Sequence, residues 1–190
     1  MEGHWDLEKS FVKQIVRQIN ISPNGGRAGI TEFSTDAELK IKFSYHTSLA
    51  GFEDQLDNLD HLAHGTTRID RGLELALDAM FQESNGMRPN VTQNLVLITD
   101  AQQVGVDFEA FRKRFNEQKI RVIVILVGNV RKDDIRHLVN VDSDLYIADD
   151  YDQLISDSFI QDITLCEGKQ CLGVIIFEIL IIFKLYILSI

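Results

Sequence analysis

Apolar positions along the chain switch between helical and strand-like spacing. Near the start, Phe11, Ile15 and Ile19 recur four residues apart and stop before a cluster of turn-forming residues, which predicts an opening amphipathic helix. Two short runs follow at residues 28–33 and 39–43, and in the second run apolar side chains alternate with charged ones. Such alternation is typical of a half-exposed strand, so the two runs predict an antiparallel pair.

The rest of the chain alternates strands with helices. Residues 94–100 and 121–127 each contain a continuous apolar run, the pattern of strands that helices cover on both faces, and a shorter run occupies residues 145–147. Helical spacing predicts helices marked by these residues: Leu56, Leu59 and Leu62; Ile69, Leu73, Ala76 and Met80; Phe108, Phe111 and Phe115; Ile135 and Leu138; Leu154, Ile155, Phe159 and Ile163. The order predicts an α/β fold with a doubly wound, Rossmann-like, mostly parallel sheet, one antiparallel edge strand and helices on both faces.

Length and composition indicate one domain followed by a different segment. With 190 residues, 45% of them hydrophobic, the chain suffices for one domain, which we assign to residues 1–165, and residues 166–190 form a hydrophobic tail. Residues 172–190 are long enough for a membrane helix, yet Glu178 and Lys184 bring the insertion free energy close to zero. Three interpretations of the tail stay open: a membrane helix, translated non-coding sequence, or a segment packed on the domain.

The charge balance narrows the range of partners. Lysine and arginine total 19 against 29 aspartate and glutamate, a net charge of -10, so attraction to the phosphates of nucleic acid is not expected. Residues 1–17 mix charged with apolar side chains and lack the continuous apolar core of a secretory signal.

Covalent modification has four candidate residues. Asn20 and Asn90 begin N-x-Ser/Thr triplets in polar stretches, which would suit an extracellular surface, although Pro23 disfavours the first. Cys166 and Cys171 are the only cysteines, so they exclude a disulfide framework and a four-cysteine zinc site but allow one small local disulfide.

Two polar residues stand where a doubly wound sheet places its binding crevice, after the carboxyl ends of strands. Asp100 ends one apolar run, and Thr67 precedes the helix that begins near Ile69. Either residue alone is more typical of a helix cap or a turn.

Together with their surroundings, these residues resemble the von Willebrand factor type A family from Asp6 to about Leu165. The stretches that carry the resemblance are residues 27–34, 65–73, 95–100 and 122–128. They are most similar to the A domains of collagens and matrilins. The resemblance implies a module for cell adhesion or matrix interaction.

The resemblance also implies a metal-ion-dependent adhesion site that holds magnesium. In the family an Asp-x-Ser-x-Ser loop, a threonine and an aspartate supply oxygen ligands, and Thr67 and Asp100 match the last two. No Asp-x-Ser-x-Ser occurs in this chain, and Ala101 stands where the family usually shows glycine. Because magnesium affinity depends on the number and rigidity of its ligands, we expect weak magnesium binding or none.

The family's first strand, which carries that loop and pairs in the middle of the sheet, has no counterpart before the first helix, and residues 1–4 cannot supply it. We expect the central strand to be missing, as in an N-terminally incomplete gene model or a fragment. A neighbouring chain or a rearranged sheet is the alternative, because unpaired backbone in the core is costly.

These observations predict a non-enzymatic protein-binding module with a degenerate metal site. The expected partner is collagen or another matrix protein, and the expected location is extracellular or secreted, with membrane anchoring through residues 172–190 left open. Two alternatives remain: an intracellular protein of the same family that acts in complex assembly, and an enzyme on a doubly wound sheet. The second lacks the nucleotide-binding, hydrolase and zinc-protease motifs.

Overall fold

The computed structural model describes residues 3–60, 66–100, 103–163 and 177–183. The strands, in chain order, are β1 (Arg27–Phe33), β2 (Ala37–Ile41), β3 (Thr92–Thr99), β4 (Ile120–Val127), β5 (Leu145–Ala148) and β6 (Phe177–Phe183). The α-helices are α1 (Gly3–Arg17), α2 (Leu49–Asp57), α3 (Ile69–Leu75), α4 (Phe108–Glu117), α5 (Tyr151–Leu154) and α6 (Asp157–Asp162).

The strands form one sheet in the order β2-β1-β6-β3-β4-β5. β2 pairs antiparallel with β1, and the other strand pairs of this sheet are parallel. This confirms the predicted doubly wound, mostly parallel sheet with one antiparallel edge strand. The residues directly after β1, β3, β4 and β5 therefore share one end of the sheet, called here the carboxyl edge, and the opposite end is the amino edge.

Helices cover both faces of the sheet, and the buried strands send alternate side chains into two cores. On β3, Val96 and Ile98 pack with α1, α2, α5 and α6, on what we call the α1 face. Leu95 and Leu97 pack with α3 and α4, on the α3 face. All four side chains are at most 1% exposed, and each contributes about 1.5–3 kcal/mol by leaving water. Burial on both faces explains why this strand is a continuous apolar run.

A glycine in β1 lets the helix on the α3 face approach the sheet closely. A Cβ built on Gly29 would lie 1.8 Å from the terminal methyl carbon of Met80. Met80 belongs to the π-helical turn Ala76–Met80 that continues α3. A side chain at position 29 would displace this methyl group, and its Cβ would also lie 2.9 Å from the backbone carbonyl oxygen of Ile41 on β2.

Three predicted helices differ in extent from the structure. α2 begins at Leu49, ahead of the leucines that predicted it, because the Ser48 side chain caps its first turn and Phe52 is buried with Leu56. The helix predicted around Ile135–Leu138 is a single 3₁₀ turn. The last helix is split into α5 and α6 because the Ser156 hydroxyl accepts the amide of Phe159 and starts a new helix.

Part of the predicted tail lies in the middle of the sheet. β6 pairs in parallel with β1 on one side and with β3 on the other. These seven residues do not form a membrane helix, because their backbone is extended and pairs with a strand on each side. The boundary at residue 165 is corrected accordingly, since β6 belongs to the same sheet as residues 27–148. Among the described residues no helix has the length and apolar character to cross a membrane.

The central position that the resemblance left empty is thus filled from the C-terminal side. α1 begins at Gly3, the first described residue. An N-terminally incomplete chain stays a prediction, and the described residues show a rearranged sheet in which β6 takes the central position. Its physical reason is that β1 and β3, which are both buried, would otherwise carry unpaired backbone groups inside the core.

Candidate functional site

The Thr67 loop is held against the end of β1. The amide of Thr66 donates to the hydroxyl oxygen of Thr35 at 3.1 Å, and the amide of Arg68 donates to the carbonyl of Ser34 at 3.0 Å. Thr67 itself is partly buried and lies between these two anchors. The structure therefore places Thr67 at the carboxyl edge, as the sequence predicted.

Asp100 follows β3 directly at the same edge and contacts a residue far away in the sequence. The hydroxyl of Tyr151, the first residue of α5, donates to Asp100 Oδ2 at 3.0 Å. The Tyr151 ring is buried and stacks on His4 with a centroid distance of 4.2 Å. Burial, together with the neighbouring carboxyls of Glu8 and Asp100, raises the pKa of Tyr151, so its hydroxyl stays protonated and acts as a donor.

The loops that carry the two predicted metal ligands are joined through Asp70 and Gln103. Gln103 Nε2 donates to Asp70 Oδ1 at 2.8 Å, and the amide of Asp70 donates to Gln103 Oε1 at 3.1 Å. Arg68 also forms two hydrogen bonds to the Asp70 carboxylate, at 2.9 and 2.7 Å. These bonds, first those from Arg68, lower the pKa of Asp70 to about 2. The Thr67 and Asp100 loops are thus neighbours at the carboxyl edge, and their metal-binding role stays a prediction.

A buried carboxyl group on α1 lies close to this cluster. Glu8 is fully buried, and neither of its carboxyl oxygens has a hydrogen-bond partner among the described residues. Burial raises the pKa of Glu8 well above its usual value, and the charges of Asp100 and Glu32 raise it further. The Tyr151 hydroxyl is near enough to oppose this shift, although its hydrogen bond goes to Asp100. A carboxyl group in such surroundings favours its protonated, neutral form.

The described residues do not by themselves fit the octahedral oxygen shell of magnesium. They contain no group of three or more His, Cys, Asp or Glu side chains arranged to hold a metal ion. One oxygen of Asp100 already accepts a hydrogen from Tyr151, and Glu8 favours the neutral form. Small hard cations require several oxygen ligands at about 2.0–2.1 Å, so weak magnesium binding or none stays our expectation.

A surface pocket opens at the carboxyl edge on the α3 face, and its lining includes Gln103, Phe108, Arg131 and Asp134. The adjacent Val104 is 81% exposed. Apolar and charged groups together at a concave rim are the features by which protein surfaces recognise partners.

The other candidate residues lie away from this cluster. Asn20 and Asn90 are both exposed at the amino edge, ahead of the first residues of β1 and β3 respectively. Cys166 and Cys171 lie outside the described residues. Glycosylation and a disulfide therefore stay predictions.

Sequence reasoning did not identify Glu8 or Tyr151. A signal for Glu8 was present, because it stands four residues before Val12 and so occupies the apolar stripe of α1. A charged residue on such a stripe is either buried or at its margin. No comparable signal marked Tyr151, since 51 positions separate it from Asp100.

Comparison with known families and proteins agrees with this architecture. The family model of the von Willebrand factor type A domain matches residues 1–162. Matrilin-4 from Mus musculus is 25% identical over 150 residues, which cover 76% of this chain and 23% of matrilin-4. The collagen alpha-1(XXI) chain from Xenopus laevis is 23% identical over 181 residues, which cover 90% of this chain and 18% of that collagen. The chain thus spans about a quarter or less of the length of these relatives.

Solved structures share the fold. Proximal thread matrix protein 1 from the mussel byssus superimposes with a TM-score of 0.78 at 17% identity, covering 85% of this chain and 42% of that one. A further structure of that protein has a zinc-occupied MIDAS motif. A conserved hypothetical protein BatB from Bacteroides thetaiotaomicron has a TM-score of 0.60 at 14% identity, covering 83% of this chain and 85% of that one.

Proposed function

The chain belongs to the von Willebrand factor type A domain family, and on that premise we propose that it is a non-enzymatic module that binds an extracellular-matrix protein. Its similarity to matrilins and collagens supports a role in the matrix, and the expected partner is collagen or another matrix protein. The binding surface is the carboxyl edge around Thr67 and Asp100. Binding there requires no reacting group, only a rigid surface of suitable shape and chemistry.

The observation that carries this proposal is the joined pair of loops with an exposed valine at their rim. The reciprocal hydrogen bonds between Asp70 and Gln103 hold the two loops together, which reduces the entropy lost on binding. Val104 follows Gln103 and presents its side chain to solvent. An exposed apolar side chain that directly follows Gln103, which contacts Asp70 and lines the adjacent pocket, suits a protein-binding surface.

We expect this binding to be largely independent of metal. The hydrogen bond from Tyr151 to Asp100 and the small set of ligands support a degenerate site with weak magnesium affinity or none. Calorimetric titration of the chain with magnesium chloride should show no stoichiometric binding in the micromolar range. Stoichiometric micromolar binding would contradict the degenerate site and leave the protein-binding role to be tested separately.

The amino edge suits an extracellular environment in the same proposal. Exposed Asn90, and less favourably Asn20, could carry glycans at the end of the sheet opposite the candidate surface, leaving that surface accessible. A disulfide between Cys166 and Cys171 is part of the same proposal, because disulfides persist in the oxidising extracellular environment. Secretion from animal cells, followed by mass analysis before and after glycosidase treatment, tests these assignments.

Two matched valine substitutions test the location of the binding surface. Val104→Asp places a charge at the carboxyl edge, whereas Val141→Asp does so before β5 at the amino edge, where Val141 is 53% exposed. On surfaces coated with fibrillar collagen, we expect V104D to weaken binding about tenfold or more, on the order of 1.4 kcal/mol or above. V141D and the addition of EDTA should leave binding unchanged. Equal effects of the two substitutions would reject the carboxyl edge as the binding surface.

A further inference from the structure

The central gap of the sheet is filled by a segment that comes after all the other described elements. β1 and β3 lie on either side of β6, and β6 is in register with both along its length, from Arg27 to Glu32 and from Thr92 to Ile98. Thirteen residues, 164–176, connect Ile163 to β6. These thirteen residues therefore tether β6 to the rest of the domain.

The gap between β1 and β3 has strict requirements for its occupant. Six of the seven residues of β1 and seven of the eight of β3 are buried, so backbone groups that face an empty gap would lose water without gaining a partner. Helices cover the sheet on both faces, so the occupant must be apolar on both of its sides. An extended, predominantly apolar segment that runs parallel to β1 and β3 satisfies both conditions.

Residues Phe177–Phe183 meet these requirements and contain one charge that can define the register. Apart from Glu178, the segment is apolar. Glu178 shares its register position with Arg27 on one side and Gln93 on the other, at the amino edge. A uniformly apolar strand can slip by two residues without moving a polar residue, whereas a two-residue shift of β6 towards the carboxyl edge would carry residue 178 to the level of Gly29 and Leu95, inside the buried part of the sheet.

We propose that the gap between β1 and β3 is a strand-binding site, with residues 177–183 as its tethered resident ligand, and that the same segment binds there when it is supplied as a separate molecule. Recognition occurs by strand addition: backbone hydrogen bonds on both sides supply affinity, and the two apolar cores supply specificity for aliphatic and aromatic side chains. In the intact chain the connecting segment keeps the resident strand at high effective concentration, which favours binding within the same molecule.

A cysteine pair tests occupancy in the folded chain. Asn94 and Ile179 are register partners, and Asn94 is buried with no partner for its amide among the described residues. In a Cys166→Ser, Cys171→Ser background, Asn94→Cys with Ile179→Cys should form a disulfide within one chain, detected by peptide mass mapping. The control pair, Asn94→Cys with Phe183→Cys, is offset by four register positions and should not. Equal oxidation of both pairs, or a disulfide only between two chains, would overturn the assignment.

Restoration by a separate segment tests whether the gap is a binding site. Ile181→Pro in the full chain removes a backbone N–H from the centre of β6 and should abolish hydrogen-exchange protection of those amides in residues 28–32 and 94–98 that point towards β6. The alternate amides of the same segments point towards β2 or β4 and serve as the internal comparison. Residues 174–186, fused through a flexible linker to a carrier protein, should restore that protection at micromolar concentration. The same fusion with proline at position 181 is the matched control.

Each outcome of these experiments either supports or contradicts the strand-binding site. Persistent protection of the β6-facing amides of residues 28–32 and 94–98 in Ile181→Pro would show that this segment does not fill the gap. Failure of the wild-type fusion to restore protection, in a variant that keeps helical circular dichroism, would reject the binding site. Should Ile181→Pro not fold, the fusion is added during refolding, and recovery with the wild-type fusion but not with the proline fusion supports the proposal. Equal recovery, or none, overturns it.

Discussion

The two faces of the sheet are built from different kinds of side chain. On the α3 face, apolar groups from the strands pack against α3 and α4, and Phe115 in the last turn of α4 is completely buried. On the α1 face, a comparable apolar core borders buried or partly buried carboxyl groups near the carboxyl edge, among them Glu8, Glu32 and Asp100.

The difference assigns separate roles to the two faces. Packing stabilises the α3 face, and its contribution should depend little on pH. The α1 face has charged groups in a region of low dielectric, where each loses hydration and repels its neighbours. One of them, Glu32, forms an ion pair in which Lys40 Nζ lies 3.6 Å from its Oε2 atom. Glu8 takes part in none of the ion pairs found among the described residues. The α1 face should therefore be less stable at the pH where its carboxyls ionise.

The largest expected effect comes from opening a cavity on the apolar face. Phe115→Ala removes a completely buried ring and should lower the free energy of unfolding by about 3–5 kcal/mol. Urea denaturation at pH 5 and pH 8 should give the same loss, because packing does not titrate. Val104→Ala, at an 81% exposed position, is the control and should change stability by less than about 0.5 kcal/mol. A loss that depends strongly on pH would contradict the division between the faces.

A smaller effect, of opposite sign, is expected at the buried carboxyl of the α1 face. Because the folded state raises the pKa of Glu8, the folded chain holds this proton more tightly than the unfolded chain, whose value is about 4.3. Ionising Glu8 is therefore more costly in the folded chain than in the unfolded chain. The free energy of unfolding of the wild type falls as the pH rises above about 4.3. Glu8→Gln cannot ionise and should be more stable than wild type by about 1–3 kcal/mol at alkaline pH, with the gain vanishing near pH 4.

The control for this change lies on the same helix. Asp6 is on the exposed side of α1, with 70% of its side chain accessible, and pairs with Lys9. Asp6→Asn should change stability by less than about 1 kcal/mol and should not reproduce the growing gain with pH. Chemical denaturation of wild type and both variants across pH 4 to 8.5 measures the comparison. A Glu8→Gln difference that stays constant with pH would place Glu8 outside the low-dielectric region.

The smallest expected effect belongs to the ion pair between Asp70 and Arg68, next to the hydrogen bonds that join the loops. The pKa of Asp70 is lowered to about 2, so its charge stabilises the fold above the unfolded value of about 3.9, and this contribution is lost as pH falls towards 2. Because Asp70 and Arg68 are 22% and 36% exposed, solvent screening reduces the contribution to about 1 kcal/mol or less. Asp70→Asn should reduce stability by that amount at pH 7, and 1 M salt should reduce the difference. An NMR titration that gives Asp70 an ordinary pKa would remove the basis for this effect.

Local sequence patterns were sufficient to predict most of the layered fold. The run at residues 94–100 and the helical spacing of Phe108, Phe111 and Phe115 each describe one element, and the structure has β3 and α4 at those positions. Thr67 and Asp100 were placed correctly at the carboxyl edge because the ends of parallel strands meet there. The role of these two residues with a metal stays a prediction.

Such local patterns could not predict contacts between segments that are distant in the sequence. The hydrogen bond from Tyr151 to Asp100 joins residues 51 positions apart, and neither local segment contains a signal for it. The burial of Glu8 depends on what packs over α1, since a charged residue at the end of an apolar stripe can equally lie at its exposed margin.

By itself, the sequence determined which segments are apolar on one face or on two, and hence the identity and order of most helices and strands. The tertiary structure decided the conformation of residues 177–183. An apolar run of this kind is compatible with a helix or a strand, because composition satisfies either. The gap between β1 and β3 decides between them, since only an extended, parallel segment can pair with the buried backbone on both of its sides.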